Sequence, residues 1–550
     1  MEKISLKNIS FVLIFHLFIC LLVSELGFFL GFTIFKLYYP LSILISILIC
    51  RINVISGISI FLIISFGFLI SGYFFDLSSD GQSYHQEAII QLKQGWNPIL
   101  FESKSRTMKL WIDHYPKGGE IVQSTIYSFF GKKELGKAIN IFLFIASLLL
   151  VRKTLVYFNI SSLKRWLYAF FMAANPVVIS QILTHFIDGL GYSLFVCLLT
   201  GLFLFIKTKD RIYGLMILAS ITLGGSLKFT SIPIFGVLIF CLLILLFILK
   251  KGSLVKELAL PLGFSALFLF VCNYNPYITN LKEGKHIFYP LRGEGSINFL
   301  EWYTPKGFIK DNNRIEKLAF TLFTKTGSFD KDNMFYKIPF SVSQKELNRL
   351  SDADIGIGGF GIFYGGFLIV LFLFFIINWR RLQNPNDEQK LLFYIIFPIL
   401  FSVLIISDPW WVRYIPQFYL IPLALLLALE INTIKIKNLV ILKSILIVNI
   451  LLFLVSVFVL NVYGTQKTYY ILDMLKQSGK IIQIDARNFP SNIDRLEEFG
   501  IPYKKVEISN ENKQIIRFQT KGSVIIDDDF KKPKKEFVYG FLNQFFYKID

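Results

Sequence analysis

The sequence predicts an all-α polytopic membrane protein of about thirteen transmembrane helices, with a small α/β domain at its C-terminal end on the extracytoplasmic side. Three observations predict it. Apolar runs near 20 residues recur along the chain, the length that crosses a hydrocarbon core as a helix. Only 17% of the 550 residues are charged while 54% are hydrophobic, and a soluble chain of this size carries more charge. The Lys and Arg residues of the short connections gather on one side.

The apolar segments have approximate limits 10–33, 38–50, 56–74, 137–151, 165–182, 188–206, 212–226, 230–249, 257–273, 357–377, 389–406, 412–430 and 439–460. The first is a helix rather than a signal peptide, because it is long, lacks a small-residue cleavage site and is followed by further spans. The second is short enough to be tilted or re-entrant; if it does not cross, the N-terminus flips and the later loops keep their sides. With the N-terminus inside, the inward connections carry Lys7, Arg51, Arg152, Arg165, Lys209, Lys250, Arg380, Lys443 and others, whereas the short outward ones carry only Lys36, Lys228 and Arg413. This positive-inside pattern divides the chain into a membrane domain, 1–460, with outer loops 75–136 and 275–355, and an outer domain, 461–550. It implies a multi-pass protein of the cell's inner (plasma) membrane. It also accounts for the net charge of +19 without a nucleic-acid partner.

Outside the spans the patterns are weaker. The 275–355 loop, with repeated Pro and aromatic residues, suggests short interfacial helices. In the tail, IIQID and SVIIDDD have the form of strands, Ser491–Phe499 and Phe537–Tyr547 of helices, and DDDFKKPKK of a solvated turn. The five cysteines fall in or at the ends of apolar runs, so no disulfide framework is implied. His16 lies within a span and suits helix packing.

The chemistry-bearing residues gather at the outer face. Asp80, in DGQSYH just past the third span, is a candidate general base, and Asp76 lies about one turn earlier; the competing explanation for both is a helix cap. His85 and Glu87 follow. Their spacing matches no recognised metal set, although Mg²⁺ or Mn²⁺ needs few protein ligands and leaves little trace. DHYPKG brings Asp113, His114 and Lys117 together, Lys117 being either a phosphate contact or a snorkelling lysine. THFIDG puts His185 and Asp188 in a very short turn near hydrocarbon, where ionisable groups are costly. Lys228, in GGSLKFTSIP, and Arg413, in DPWWVRY, break the inward bias and suit a lipid phosphate. Trp410 and Trp411 fit an interfacial belt.

Taken together these motifs resemble the GT-C superfamily of polytopic glycosyltransferases, which includes protein O-mannosyltransferases and aminoarabinose transferases of lipid A. The resemblance rests on the early acidic motif (Asp76, Asp80), the GGSLKFTSIP hairpin, the DPWWVRY turn, the number of spans and the outer C-terminal domain, and covers roughly residues 56–460. The chain departs from the mannosyltransferase pattern in having Gly81, not Glu, after Asp80. The resemblance implies transfer of a sugar from a polyprenyl-phosphate donor held in the bilayer to a hydroxyl of a glycan, lipid or protein acceptor, with inversion. Asp80 or Asp76 would be the base. His85, His114, Lys117, His185, Asp188, Lys228 and Arg413 would bind substrate, and a divalent cation, Mg²⁺ or Mn²⁺, is compatible with it. Two other classes fit many spans and buried charge: a transporter or flippase, which places ionisable groups near mid-membrane, and a polymerase or ligase of lipid-linked sugars.

Overall fold

The computed structural model describes residues 4–298, 300–304, 308–327, 336–383, 385–431, 439–486, 489–506, 514–517 and 523–526. Helices occupy all of the apolar segments named above. Seven helices among the described residues are long and apolar enough to cross a membrane: Leu6–Phe29, Val54–Tyr73, Lys133–Phe158, Asp188–Thr208, Ser231–Ile248, Gly252–Cys272 and Leu439–Gln477. Tyr38–Cys50, Arg211–Gly225, Tyr364–Ile377 and Pro416–Glu430 are apolar but shorter. Leu6–Phe29 and Asp188–Thr208 are 78% buried and form the centre with Ala138–Thr154 and Arg211–Gly225. Gly252–Cys272 is 11% buried and turns Leu260, Phe264, Leu267 and Phe270 outward. Such an apolar rim around a packed centre is stable in lipid, where outward leucines meet acyl chains instead of water.

Proline and glycine set the departures from the expected segments. The 165–182 run breaks at Ala174, where Asn175 caps the next helix through Val177 N and Pro176 takes its first position. The 412–430 run starts as two 3-10 turns, Val412–Tyr414 and Pro416–Tyr419, before the helix Leu420–Glu430. The 357–377 run becomes helical only at Tyr364, because Gly358 and Gly361 carry φ of +63° and +115°, open mainly to glycine. Between 275 and 355 lie short helices such as Arg314–Phe323 and Gln344–Arg349, each with a capping box. His16 packs against Tyr39 and Phe142 with Nδ1 2.6 Å from Val12 O.

The helix Leu439–Gln477 runs unbroken past residue 461, where the sequence places the start of the outer domain. A four-stranded sheet follows. Ile482–Asp485 pairs in parallel with Tyr503–Lys505 and antiparallel with Ser523–Ile526, which pairs antiparallel with Gln514–Arg517. The helix Ser491–Glu498 makes the crossover that a parallel pair needs. Tyr503–Lys505 and Gln514–Arg517 escape sequence reading because each is short and ends in charge. Phe537–Tyr547 and the DDDFKKPKK turn beyond residue 526 lie outside the described residues.

Buried charge fastens this unit to the 75–136 loop and the start of the Lys133–Phe158 helix. Arg495, fully buried, donates to Gln82 Oε1 (3.2 Å) and Asp76 O (3.1 Å) and meets Glu134 Oε1 at 3.4 Å. Lys133 pairs with Asp494 at 2.7 Å, and Glu134 with Lys137 at 2.5 Å. Removing one partner from such a network strands the others without water. Arg495→Ala is therefore expected to cost about 3 kcal/mol, read as a lower thermal midpoint in detergent; a midpoint within a degree or so of wild type would mean the sheet unit is not held this way.

Candidate functional site

Asp76 closes the turn that follows the Val54–Tyr73 helix. Its Oδ1 accepts from Ser78 N (2.7 Å) and Ser78 Oγ (2.6 Å), and its Oδ2 from His185 N (2.8 Å). The side chain has no exposed surface. Both carboxylate oxygens are thus spent on holding the turn, which makes Asp76 a pin and leaves no free lone pair facing solvent. The same packing explains Gly81: a Cβ there would lie 2.2 Å from Asp76 Oδ2 and from Ser78 Oγ. Asp80 stands just before the π-helical turn Gly81–His85, with its side chain 28% exposed.

Arg413 is the centre around which the other charges assemble. Its Nη1 lies 3.2 Å from Asp80 Oδ2, 3.1 Å from Asp354 Oδ1 and 4.0 Å from Asp188 Oδ2. Lys228 Nζ donates to Asp188 Oδ1 at 2.6 Å and lies over the Tyr414 ring. Backbone pairing sets the register: Val412 N bonds Gly356 O and Arg413 N bonds Ile355 O, which carries Asp354 to the guanidinium. Gln181, fully buried, donates to both Asp188 Oδ2 (3.2 Å) and Ala353 O (3.1 Å) and accepts from Gly189 N. Asp188 opens its helix, where a carboxylate is favoured by the dipole. Phe186, Trp411 and Tyr414 surround the guanidinium. Burial pushes the Asp354 carboxyl from 3.8 up to about 7 despite the pull of Arg413, and burial lowers the Lys228 ammonium against the pull of Asp188.

The same charges share a small cavity, the groove, with apolar side chains. Its wall carries Gly191, Tyr192 and Phe195 from the Asp188–Thr208 helix and Ile234 and Phe235 from the Ser231–Ile248 helix, together with Asp188, Lys228 and Arg413. The free volume is about 30 Å³. Gly118 docks the 75–136 loop onto the hairpin that bears Lys228: Gly118 N bonds Ser226 O at 2.8 Å, and a Cβ on Gly118 would meet that oxygen at 2.9 Å.

Of the residues singled out in the sequence, Asp80, Asp188, Lys228 and Arg413 come together. His185 does not join them; its Nδ1 lies 2.5 Å from Gln123 Oε1 and its Nε2 3.7 Å from Glu134, and burial lowers its pKa. His114 lies apart, between Asn280 Oδ1 (2.7 Å) and Lys285. Lys117 is not on the Arg413 side either: it donates to Tyr115 O and Asn275 Oδ1 and lines a second cleft with His85. Burial brings its ammonium down to about 8. Trp410 and Trp411 are 0% and 1% exposed and pack against each other, Trp410 also against Phe308; they are core residues rather than an interfacial belt. No group of three His, Cys, Asp or Glu side chains among the described residues is placed to hold a metal ion, so no metal ligand is assigned.

Asp354 was missed by sequence reasoning. Its signal was present in SDADIG, an acidic pair directly before an apolar run on the same side as Asp80. No protein-family model matches the chain, and no curated protein or solved structure matches it.

Two outcomes test this geometry. Asp76→Asn is expected to lower stability by about 1.5–3 kcal/mol through lost charge-assisted hydrogen bonds, and Asp80→Asn by clearly less, in thermal melts run side by side; equal losses would contradict the division into pin and open carboxylate. For Asp354 the folded state holds its proton more tightly than the unfolded one, so its contribution to stability falls as pH rises from about 4 to about 7. Asp354→Asn should flatten the thermal midpoint across that window, and an unchanged slope would show that Asp354 does not titrate there.

Proposed function

We propose that the protein is a membrane glycosyltransferase of the GT-C type. It moves a sugar from a polyprenyl phosphate to an acceptor hydroxyl at the extracytoplasmic face of the inner (plasma) membrane. In this reading the helices make about thirteen crossings, and the sheet unit and the Asp80 cluster lie outside. The observation that carries it is the pairing of Arg413 and Lys228 with Asp80 and Asp188 beside the apolar side chains of the groove. That combination suits a ligand with an anionic head and a hydrocarbon tail. Ion pairs Lys7–Asp210, Lys209–Glu257 and Lys164–Glu430 occupy the opposite end of the helices, so chemistry at a surface is favoured over a transport path through mid-membrane.

The polyprenyl chain would lie along Gly191, Phe195, Ile234 and Phe235, with its phosphate at Arg413 and Lys228. Asp80, the most open carboxylate of the cluster, takes the proton of the acceptor hydroxyl. The oxygen attacks the anomeric carbon from the face opposite the phosphate. The bond from that carbon to the phosphate oxygen breaks, its electron pair leaves with the lipid phosphate, and configuration inverts. Negative charge grows on the leaving oxygen, and fixed cations that already face it lower the barrier without reorganising. Asp188 acts as a positioning residue by holding Lys228, and Gln181 by holding Asp188. No step is routed through a metal.

The test is transfer from a panel of radiolabelled polyprenyl-phosphate sugars by detergent-purified protein, with a membrane extract as acceptor. Asp80→Asn should lose about 10³-fold or more of kcat/KM, and Lys228→Met about 10²-fold to 10³-fold. Transfer that survives in both variants would remove the proposed roles. Movement of lipid-linked sugar across reconstituted vesicles, without transfer, would replace this reading with a flippase.

A further inference from the structure

Ile187 separates the groove from a second cleft, which it also lines. The floor of that cleft is a buried His85–Glu120 pair, with Nδ1 and Oε1 2.5 Å apart and both side chains under 5% exposed. The outward atoms of the pair, His85 Nε2 and Glu120 Oε2, are buried and have no partner in the protein. Buried polar atoms without partners are costly, and two of them on residues that line one cleft mark a place where a ligand's polar groups can complete the bonding. The mouth is aromatic: Tyr84 lies 4.1 Å from the His85 ring, and Trp111 lies 6.4 Å from Tyr84 and 5.2 Å from Tyr115, centroid to centroid. Lys117 closes the side. Tyr84 and Tyr115 are within electrostatic reach of Asp80, Asp188 and Arg413, which places this mouth on the same side of the protein as the proposed reacting atoms.

We propose that the His85–Glu120 cleft is the acceptor subsite and that it takes a sugar ring of a glycan, with ring C–H faces on Trp111 and Tyr115 and hydroxyls on His85 Nε2 and Glu120 Oε2. This deepens the glycosyl-transfer reading and rests on it. The size of the floor sets the pose. Its free volume is about 10 Å³, the room of one water or one hydroxyl, so the ring stays at the aromatic mouth and only its hydroxyls reach inward. A sugar hydroxyl both donates and accepts, so it can satisfy either His85 Nε2 or Glu120 Oε2. A peptide acceptor would call for partners to an extended backbone, and the walls are side chains of a π-helical turn and two short helices instead.

The experiment titrates the detergent-purified full chain with soluble methyl glycosides and disaccharides, and separately with Ser- and Thr-containing peptides, reading tryptophan fluorescence. At least one sugar should bind saturably. Glu120→Gln and His85→Asn should weaken it about tenfold or more, and Trp111→Phe should remove most of the signal. Trp111 stands at the mouth, so its variant keeps the test valid if the floor variants fail to fold. Binding of peptides but no sugar, sugar binding indifferent to these substitutions, or no sugar binding at all would overturn the subsite. The parent reading is scored separately by transfer. Sugar binding lost in Glu120→Gln with no transfer by wild type would keep the subsite and remove the enzyme. Transfer whose acceptor KM is unaltered in Glu120→Gln would remove the subsite and keep the enzyme.

Discussion

A buried guanidinium cannot shed its charge, so the protein around Arg413 has to supply anions and hold them still. It does so from three distant parts of the chain: Asp80 after the third apolar segment, Asp188 at a helix start, and Asp354 before a later helix. Asp354 and Asp188 are steered by backbone and amide contacts, through the 355–356 and 412–413 pairing and through Gln181. Lys228 adds a second cation on Asp188. Three carboxylates face two cations, and burial raises the Asp354 carboxyl against the pull of Arg413.

A second charged network does a different job. Asp76, Glu134, Lys137 and Arg495 are buried and bonded to one another. They tie the sheet unit, the loop that bears Asp80 and the turn that bears His185 into one piece. The two acidic residues four apart in the sequence are thus divided between the networks, Asp76 in the fastening and Asp80 at the open cleft. Gly81 is the residue that permits this, since any side chain there would displace Asp76.

Much of the fold was legible because the bilayer restricts the solutions: apolar runs of the right length become helices, and the helices found lie where the runs do. What periodicity misses is where a run stops being helical, and here Pro176, Pro416 and the glycines at 358 and 361 decided it. The site was half legible. Lys228 and Arg413 stood out because cations on that side are rare in the sequence, and Asp188 because its turn has no room for idle charge. Asp354 was overlooked because it sits in a polar loop where an acid is unremarked until the fold sets it beside Arg413. His185 and Lys117 were grouped with the substrate-binding residues for the converse reason: proximity in sequence to Asp188 and Asp113 says nothing about where a side chain packs.

The central claim is that a lipid phosphate sits with its head at Arg413 and Lys228 and its tail in the groove. Photolabelling with a polyprenyl phosphate that carries a diazirine near the head tests it most directly. The account predicts label in the Asp188–Thr208 and Ser231–Ile248 helices, close to Gly191, Phe195, Ile234 and Phe235, and its loss in Lys228→Met. Label confined to other helices, or unchanged in that variant, would contradict it.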